Sequence, residues 1–179
     1  VKDCRCPVTR VYQSNISGIG NGVYEVQTDN YKCGPVAIIN SLHLCNKNVG
    51  RSMRRYIVSA CNTQQVHSDG FHGTRPENMN KVIMNIWYGS KRYEGIRDCI
   101  RAIKSSSHSK YIVLYSYFAN NLQYFHYTVL FRPTKCKKFY TLNDGSDYEQ
   151  KWTISTFVNE HLAIEGTVPI IYPQVWSII

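Results

Sequence analysis

A cysteine delivered to the start of an apolar helix is the feature that most restricts this chain. In Gln27-Thr-Asp-Asn-Tyr-Lys-Cys33-Gly-Pro-Val-Ala-Ile-Ile-Asn-Ser-Leu42, a polar, turn-prone run from Thr28 to Lys32 precedes a helical pattern. Val36, Ile39 and Leu42 share one face of that helix, and Ala37, Ile38 and Leu44 widen it. Pro35 falls in the first turn, where its fixed φ and missing N–H cost nothing. Cys33 is thereby placed at or just before a helix N-terminus. Unpaired N–H groups and the positive end of the helix dipole favour a thiolate there. Gly34, lacking a side chain, would let a substrate backbone approach the sulfur. The same stretch taken alone also suits a small buried residue at a helix start, so the rest of the chain has to decide.

With 179 residues the chain is expected to form one domain, 1–179, large enough for a core without disulfide or metal staples. Its seven cysteines are odd in number and scattered, and no signal peptide is recognisable, which points to a reducing compartment. Cys4-Arg-Cys6 has no second pair at finger-like spacing, so neither a metal nor any other cofactor is expected. The formal charge of +9 comes from small groups such as Arg51/Arg54/Arg55, Lys91/Arg92 and Lys135/Lys137/Lys138. These read as a solvated basic face, and nucleic acid is not expected as a partner. No apolar run reaches the ~18 residues of a membrane span, so no membrane association is expected. The chain starts at Val1 rather than methionine, which suggests release from something longer, such as a polyprotein.

Extended fragments are expected around Val8 to Tyr12 and Gly22 to Val26, flanking a glycine-rich loop. After the cysteine helix, Arg51 to Ala60 reads as a second helix, with Met53, Tyr56, Ile57 and Ala60 on one side. Residues 62–73 read as a loop whose histidines, His67 and His72, face solvent. Thr74-Arg-Pro-Glu77 predicts a capping box at the start of a third helix, and Arg92 to Lys104 a fourth. Lys110 to Phe118, Phe125 to Phe131 and Lys138 to Leu142 are β-branched and aromatic strands joined by turns at Asn120-Asn121 and Arg132-Pro133-Thr134. Trp152 to His161 suits one more helix and Val168 to Tyr172 a last strand. Helices followed by a strand meander predict an α+β domain, with a helical part about 27–105 and a mainly antiparallel sheet about 110–179.

A cysteine nucleophile needs an imidazole partner and a third group to orient that ring. His126, at the start of the apolar strand Phe125-His126-Tyr-Thr-Val-Leu, is the best placed of the six histidines. His43, His108 and His161 are less suited. If Leu142-Asn143-Asp144-Gly145 ends the neighbouring strand, an antiparallel pairing brings Asn143 and Asp144 beside His126. Either side chain could then accept from the imidazole. Gln27, six residues before Cys33, could supply an oxyanion donor beside the Cys33 N–H. Each element alone has an ordinary structural reading, such as a strand histidine satisfied by a carbonyl or Asn-Asp-Gly turn chemistry. Together they predict acyl transfer through a thioester.

At these residues the sequence resembles the papain-like cysteine proteases. Gln27-x5-Cys33-Gly34-Pro35-x-Ala37 is similar to the peptidases that cut bacteriocin precursors after double-glycine leaders. His126-Tyr-Thr-Val followed by Lys138-Phe-Tyr-Thr-Leu-Asn143-Asp144 is similar to the histidine box of ubiquitin-specific proteases. That second likeness implies Asn143 as the triad member with Asp144 as its neighbour, or Asp144 itself if the register differs by one. The compact size also resembles viral papain-like proteases, of the foot-and-mouth leader type and of nidovirus polyproteins. Two departures stand out: papain has tryptophan after its cysteine where this chain has Gly34, and the zinc-binding fingers of ubiquitin-specific proteases are missing.

The resemblance implies a papain-like fold, with the nucleophile helix packed on the sheet. It also implies a monomeric cytoplasmic thiol protease, in a host cytoplasm if viral, that cleaves after Gly-Gly. Its protein substrates would be a polyprotein junction and ubiquitin or ubiquitin-like conjugates, with Asp29, Asp69 or Asp147 reading a substrate arginine. A papain-fold module that has lost catalysis and binds a protein tail is the alternative.

Overall fold

The computed structural model describes residues 9–16, 20–105, 108–133, 137–145, 147–166 and 170–179, and the backbone alone of 147 and 148. An antiparallel pair comes first, β1 (Thr9–Gln13) with β2 (Val23–Gln27). Helices α1 (Cys33–Leu44), α2 (Arg51–Cys61) and α3 (Pro76–Ile86) follow. A short strand, β3 (Arg92–Glu94), leads into α4 (Ile96–Lys104). The meander is β4 (Lys110–Ala119), β5 (Leu122–Phe131), β6 (Phe139–Asp144) and β7 (Asp147–Trp152). Helix α5 (Ile154–Phe157) runs into a π-helical turn, Val158–Leu162, and β8 (Gln174–Ser177) closes the chain. The six-stranded sheet has the order β3-β8-β4-β5-β6-β7, antiparallel throughout. The fold class is therefore mixed helix and antiparallel sheet, as the sequence pattern implies.

Period-two alternation lets the sheet bury both faces. Ile112 and Leu114 of β4 point into a core shared with α1, α2 and α3. Tyr111, Val113 and Tyr115 point the other way, against Cys99 and Ile103 of α4 and against Phe157 and Leu162. The two-residue turn at Asn120-Asn121 has φ of 52° and 64°, the left-handed pair that a tight hairpin requires and asparagine tolerates. That turn fixes the β4–β5 register, in which Tyr115 lies opposite His126.

Several expectations need correction. Helix α1 has no solvent face, because all twelve of its residues are buried. Its polar side chains are matched instead. Asn40 accepts from the Glu25 N–H at 2.7 Å and donates to the Glu25 carbonyl at 2.9 Å. Ser41 donates to the Ala37 carbonyl, and His43 Nε2 meets Glu25 Oε2 at 2.7 Å. The predicted capping box at Thr74 does not form. Pro76 disfavours helical backbone at Arg75, which becomes the N-cap without a side-chain bond. Thr74 instead meets Thr63 through their hydroxyls and accepts the Tyr127 hydroxyl at its carbonyl.

The predicted fourth helix loses its first residues to β3, because Gly95 at φ 85° breaks the run. The last strand is β8 rather than Val168 to Tyr172, of which 168–169 lie outside the described residues; Tyr172 makes one bridge to Gly166. Tyr56 is exposed, with Ile57, Val58 and Cys61 forming the buried side of α2. His67 is buried rather than solvent-facing, held by the Gly73 carbonyl at 2.8 Å. Cys4, Cys6 and the Thr134 turn position lie outside the described residues.

Candidate active site

Three elements converge on Cys33. Its own helix, α1, is enclosed by β2 on one flank and by β4, β5 and β6 beneath, so the helix N-terminus is held by the core. Asp29 organises the approach to it. Its Oδ1 accepts from the N–H groups of Tyr31 and Lys32, both at 3.0 Å, and its Oδ2 pairs with the Lys32 ammonium at 3.6 Å. Asp29 is thus occupied in shaping the turn. Cys33 is buried, yet it lines a cleft of about 1230 Å³ together with Gln27, His126, Asn143 and Asp144. All five residues proposed from sequence therefore line the same cleft.

Gly34 works differently from the expectation that it clears a path for substrate. A Cβ there would stand 2.7 Å from Thr74 Oγ1, 2.9 Å from Thr74 Cβ and 3.1 Å from Met79 Sδ. The missing side chain lets α1 press against α3 and its leading loop. Gly34→Ala should cost about 1–3 kcal/mol through overpacking and shift the neighbouring thiol. A lowered melting temperature together with slower alkylation of Cys33 would register both effects.

His126 projects from β5 toward the sulfur. Burial pushes its pKa down, but the Cys33 charge, a hydrogen bond with Cys33, the Asn143 carbonyl and the Asp144 charge outweigh it and raise the value to about 9. Its Nε2 lies 2.7 Å from the Asn143 main-chain oxygen, which makes Nε2 the donor and leaves Nδ1 for the sulfur. The ring acceptor is thus a peptide carbonyl, whereas an Asn143 or Asp144 side chain was expected.

The side chain of Asn143, a residue with left-handed backbone at φ 58°, turns to Gln27. Its Nδ2 donates to Gln27 Oε1 at 2.8 Å, and its Oδ1 accepts from the Gln27 main-chain N–H at 3.2 Å. Gln27 Nε2 in turn donates to the Asp29 carbonyl at 2.8 Å. An amide nitrogen carries two hydrogens, so Gln27 Nε2 has a second donor beyond its bond to the Asp29 carbonyl.

Asp144 is engaged elsewhere. Its Oδ1 accepts from the Tyr115 hydroxyl at 2.6 Å, and its Oδ2 meets His161 Nε2 at 2.7 Å. Burial alone would raise the carboxyl pKa, but the His161 contact, the Tyr115 hydroxyl and the His126 charge bring it below its usual value. Tyr115 and His161 thereby join the site, although sequence reasoning passed over both. Tyr115 was legible in principle, because the tight hairpin places it opposite His126. His161 gave no such signal. It is caged by aromatic rings, 4.3 Å from Phe157, 4.4 Å from Tyr115 and 4.8 Å from Trp152 between centroids. Its Nδ1 is buried and has no partner among the described residues. Asp69 is paired with Arg75, and the Asp147 side chain lies outside the described residues.

No protein-family model and no curated protein sequence matches the chain. Among solved structures it is similar to the peptidase domain of Streptococcus ComA, described as a bi-functional ABC transporter involved in a quorum sensing pathway. The superposition has a TM-score of 0.54 at 12% identity and covers 86% of this chain and 96% of that domain. At that identity the likeness concerns the fold, and on it the chain has the fold of a papain-like peptidase domain.

Proposed function

We propose that the protein is a papain-like cysteine peptidase. The observation that carries this reading is the pairing of Cys33, at the mouth of a buried helix, with a His126 ring whose protonated form the sulfur favours. Cys33 attacks the scissile carbonyl as thiolate. His126 passes its Nδ1 proton to the departing amine, and the carbonyl of Asn143 keeps the ring in the required tautomer. Water, deprotonated by the same ring, then releases the acyl group. The developing alkoxide is met by the Cys33 N–H and the remaining hydrogen of Gln27 Nε2.

The finer part of the proposal is that cleavage follows paired glycines, in a polyprotein and in ubiquitin-like conjugates. It is supported by the similarity of the Cys33 and His126 boxes to two families with that preference. The aromatic lining of the cleft, from Tyr31, Phe71, Tyr117 and Phe125, also favours small residues beside the sulfur. A fluorogenic peptide ending in Gly-Gly should be turned over, and replacing either glycine by valine should cut kcat/KM at least about tenfold, the scale of one misfitted apolar group. A ubiquitin bearing a C-terminal electrophile should become bonded to Cys33. Hydrolysis of the peptide without capture of the ubiquitin probe would keep the peptidase and remove the ubiquitin substrate. Failure of both reactions would favour a binding module.

A further inference from the structure

We propose that Asn143 is the positioning residue of the oxyanion donor, its side-chain amide locking Gln27 in one orientation while its main-chain carbonyl holds His126. This rests on the peptidase reading above and assigns a task to one residue within it. Each hydrogen bond linking Asn143, Gln27 and Asp29 has a fixed direction. The Gln27 main-chain N–H can only donate, so the Asn143 atom 3.2 Å away is the amide oxygen. The other amide atom is therefore Nδ2, and the Gln27 atom it meets at 2.8 Å must be Oε1. Gln27 Nε2 is then directed to the Asp29 carbonyl, an obligate acceptor, at 2.8 Å.

Reversing the Gln27 amide would set donor against donor at Asn143 and acceptor against acceptor at Asp29. Only one orientation is consistent, and it fixes Nε2, with its second hydrogen, on a residue that lines the same cleft as Cys33. The imidazole needs nothing from this side chain, because its acceptor is the peptide oxygen of residue 143.

Two substitutions separate this role from that of a side chain orienting the ring. Asn143→Asp would serve a ring N–H as well as asparagine does, but it places an oxygen against Gln27 Oε1 and drives that amide to flip. Asn143→Gly removes the clamp while accommodating the left-handed backbone. With a Gly-Gly fluorogenic peptide, both variants should lose about 10²-fold in kcat/KM, approaching the 10²–10³ expected for losing an oxyanion donor in Gln27→Ala. The double variant Gln27→Ala/Asn143→Gly should be no worse than Gln27→Ala alone. The pH profile of Cys33 alkylation by iodoacetamide, which reads the sulfur–imidazole pair without an oxyanion, should stay unchanged in Asn143→Gly, which adds no charge beside His126.

Wild-type activity in Asn143→Asp, additive losses in the double variant, or a displaced alkylation profile in Asn143→Gly would each overturn the assignment while leaving the peptidase standing. A wild type that never cleaves the peptide would remove the peptidase reading and this assignment with it.

Discussion

Cys33→Ala should abolish turnover of a Gly-Gly peptide, and His126→Ala should come close to it. Losses on the order of 10⁵–10⁶ in kcat are expected when either member of such a pair is removed, and the double variant should be scarcely worse than the singles. In the proposed mechanism the two act as one unit: the sulfur would form the acyl bond, and the ring would supply the proton that lets the amine leave. The pH dependence follows from His126. Its pKa is raised from an ordinary 6.5 to about 9, so the imidazolium persists through neutrality and is lost as pH rises past about 9. kcat/KM should therefore fall on that alkaline side. The same raised value means that the stabilisation His126 gains from its partners is complete below about 6.5 and fades through about 9. Asp144→Asn removes one of the charges that hold the pKa up, so the alkaline limb should move to lower pH. An alkaline limb that stays in place in Asp144→Asn would show that the carboxylate does not act on the ring.

Loss of Glu25 should produce the largest change in stability. This carboxylate, fully enclosed between β2, α1 and α2, accepts from Thr9 at 2.8 Å, meets His43 at 2.7 Å and is gripped by both terminal nitrogens of Arg54. Burial opposes its ionisation, but the hydrogen bonds from His43, Arg54 and Thr9 with the Arg54 charge prevail, and the pKa falls from 4.5 to about 2. Glu25→Ala leaves His43 and Arg54 facing an apolar gap. Arg54 can partly reach water, so a cost of about 3 kcal/mol, at the lower end for breaking a buried pair, is reasonable. That corresponds to a melting temperature lower by roughly 6–12 °C for a domain of this size. The pH sign is fixed by the depressed value: the contribution is complete above about 4.5 and is lost as pH falls toward about 2. Wild type should lose stability across that window, and Glu25→Ala should show a flatter slope there. Equal slopes in thermal melts between pH 5 and 2 would count against the network.

How much of this was legible in the sequence depended on how local the determining contact was. Proline in the first turn and a mainly apolar run placed Cys33 at or just before the start of α1, and paired asparagines announced the β4–β5 hairpin. The meeting of Gln27, Cys33, His126, Asn143 and Asp144 could be read from spacing and strand order. The way Asn143 is used could not. Which of its atoms faces the imidazole depends on one left-handed backbone angle at the end of β6, and residue type leaves that angle open. The Tyr115–Asp144–His161 cluster escaped for a related reason. It joins β4, β6 and the π-helical turn, and no periodicity links a histidine there to a carboxylate seventeen residues earlier. The Thr74 capping box was a true local pattern overridden by a stronger one, proline's restriction of its neighbour.

A helix enclosed along its whole length cannot fray. Since α1 carries the thiol at its tip and shows no flank to water, the proposed nucleophile has no private route to disorder, and on the peptidase reading a protein that is partly open is also inert. Ageing, heat or a remote core mutation would then leave a population of fully competent molecules and a population of dead ones, with few crippled forms between.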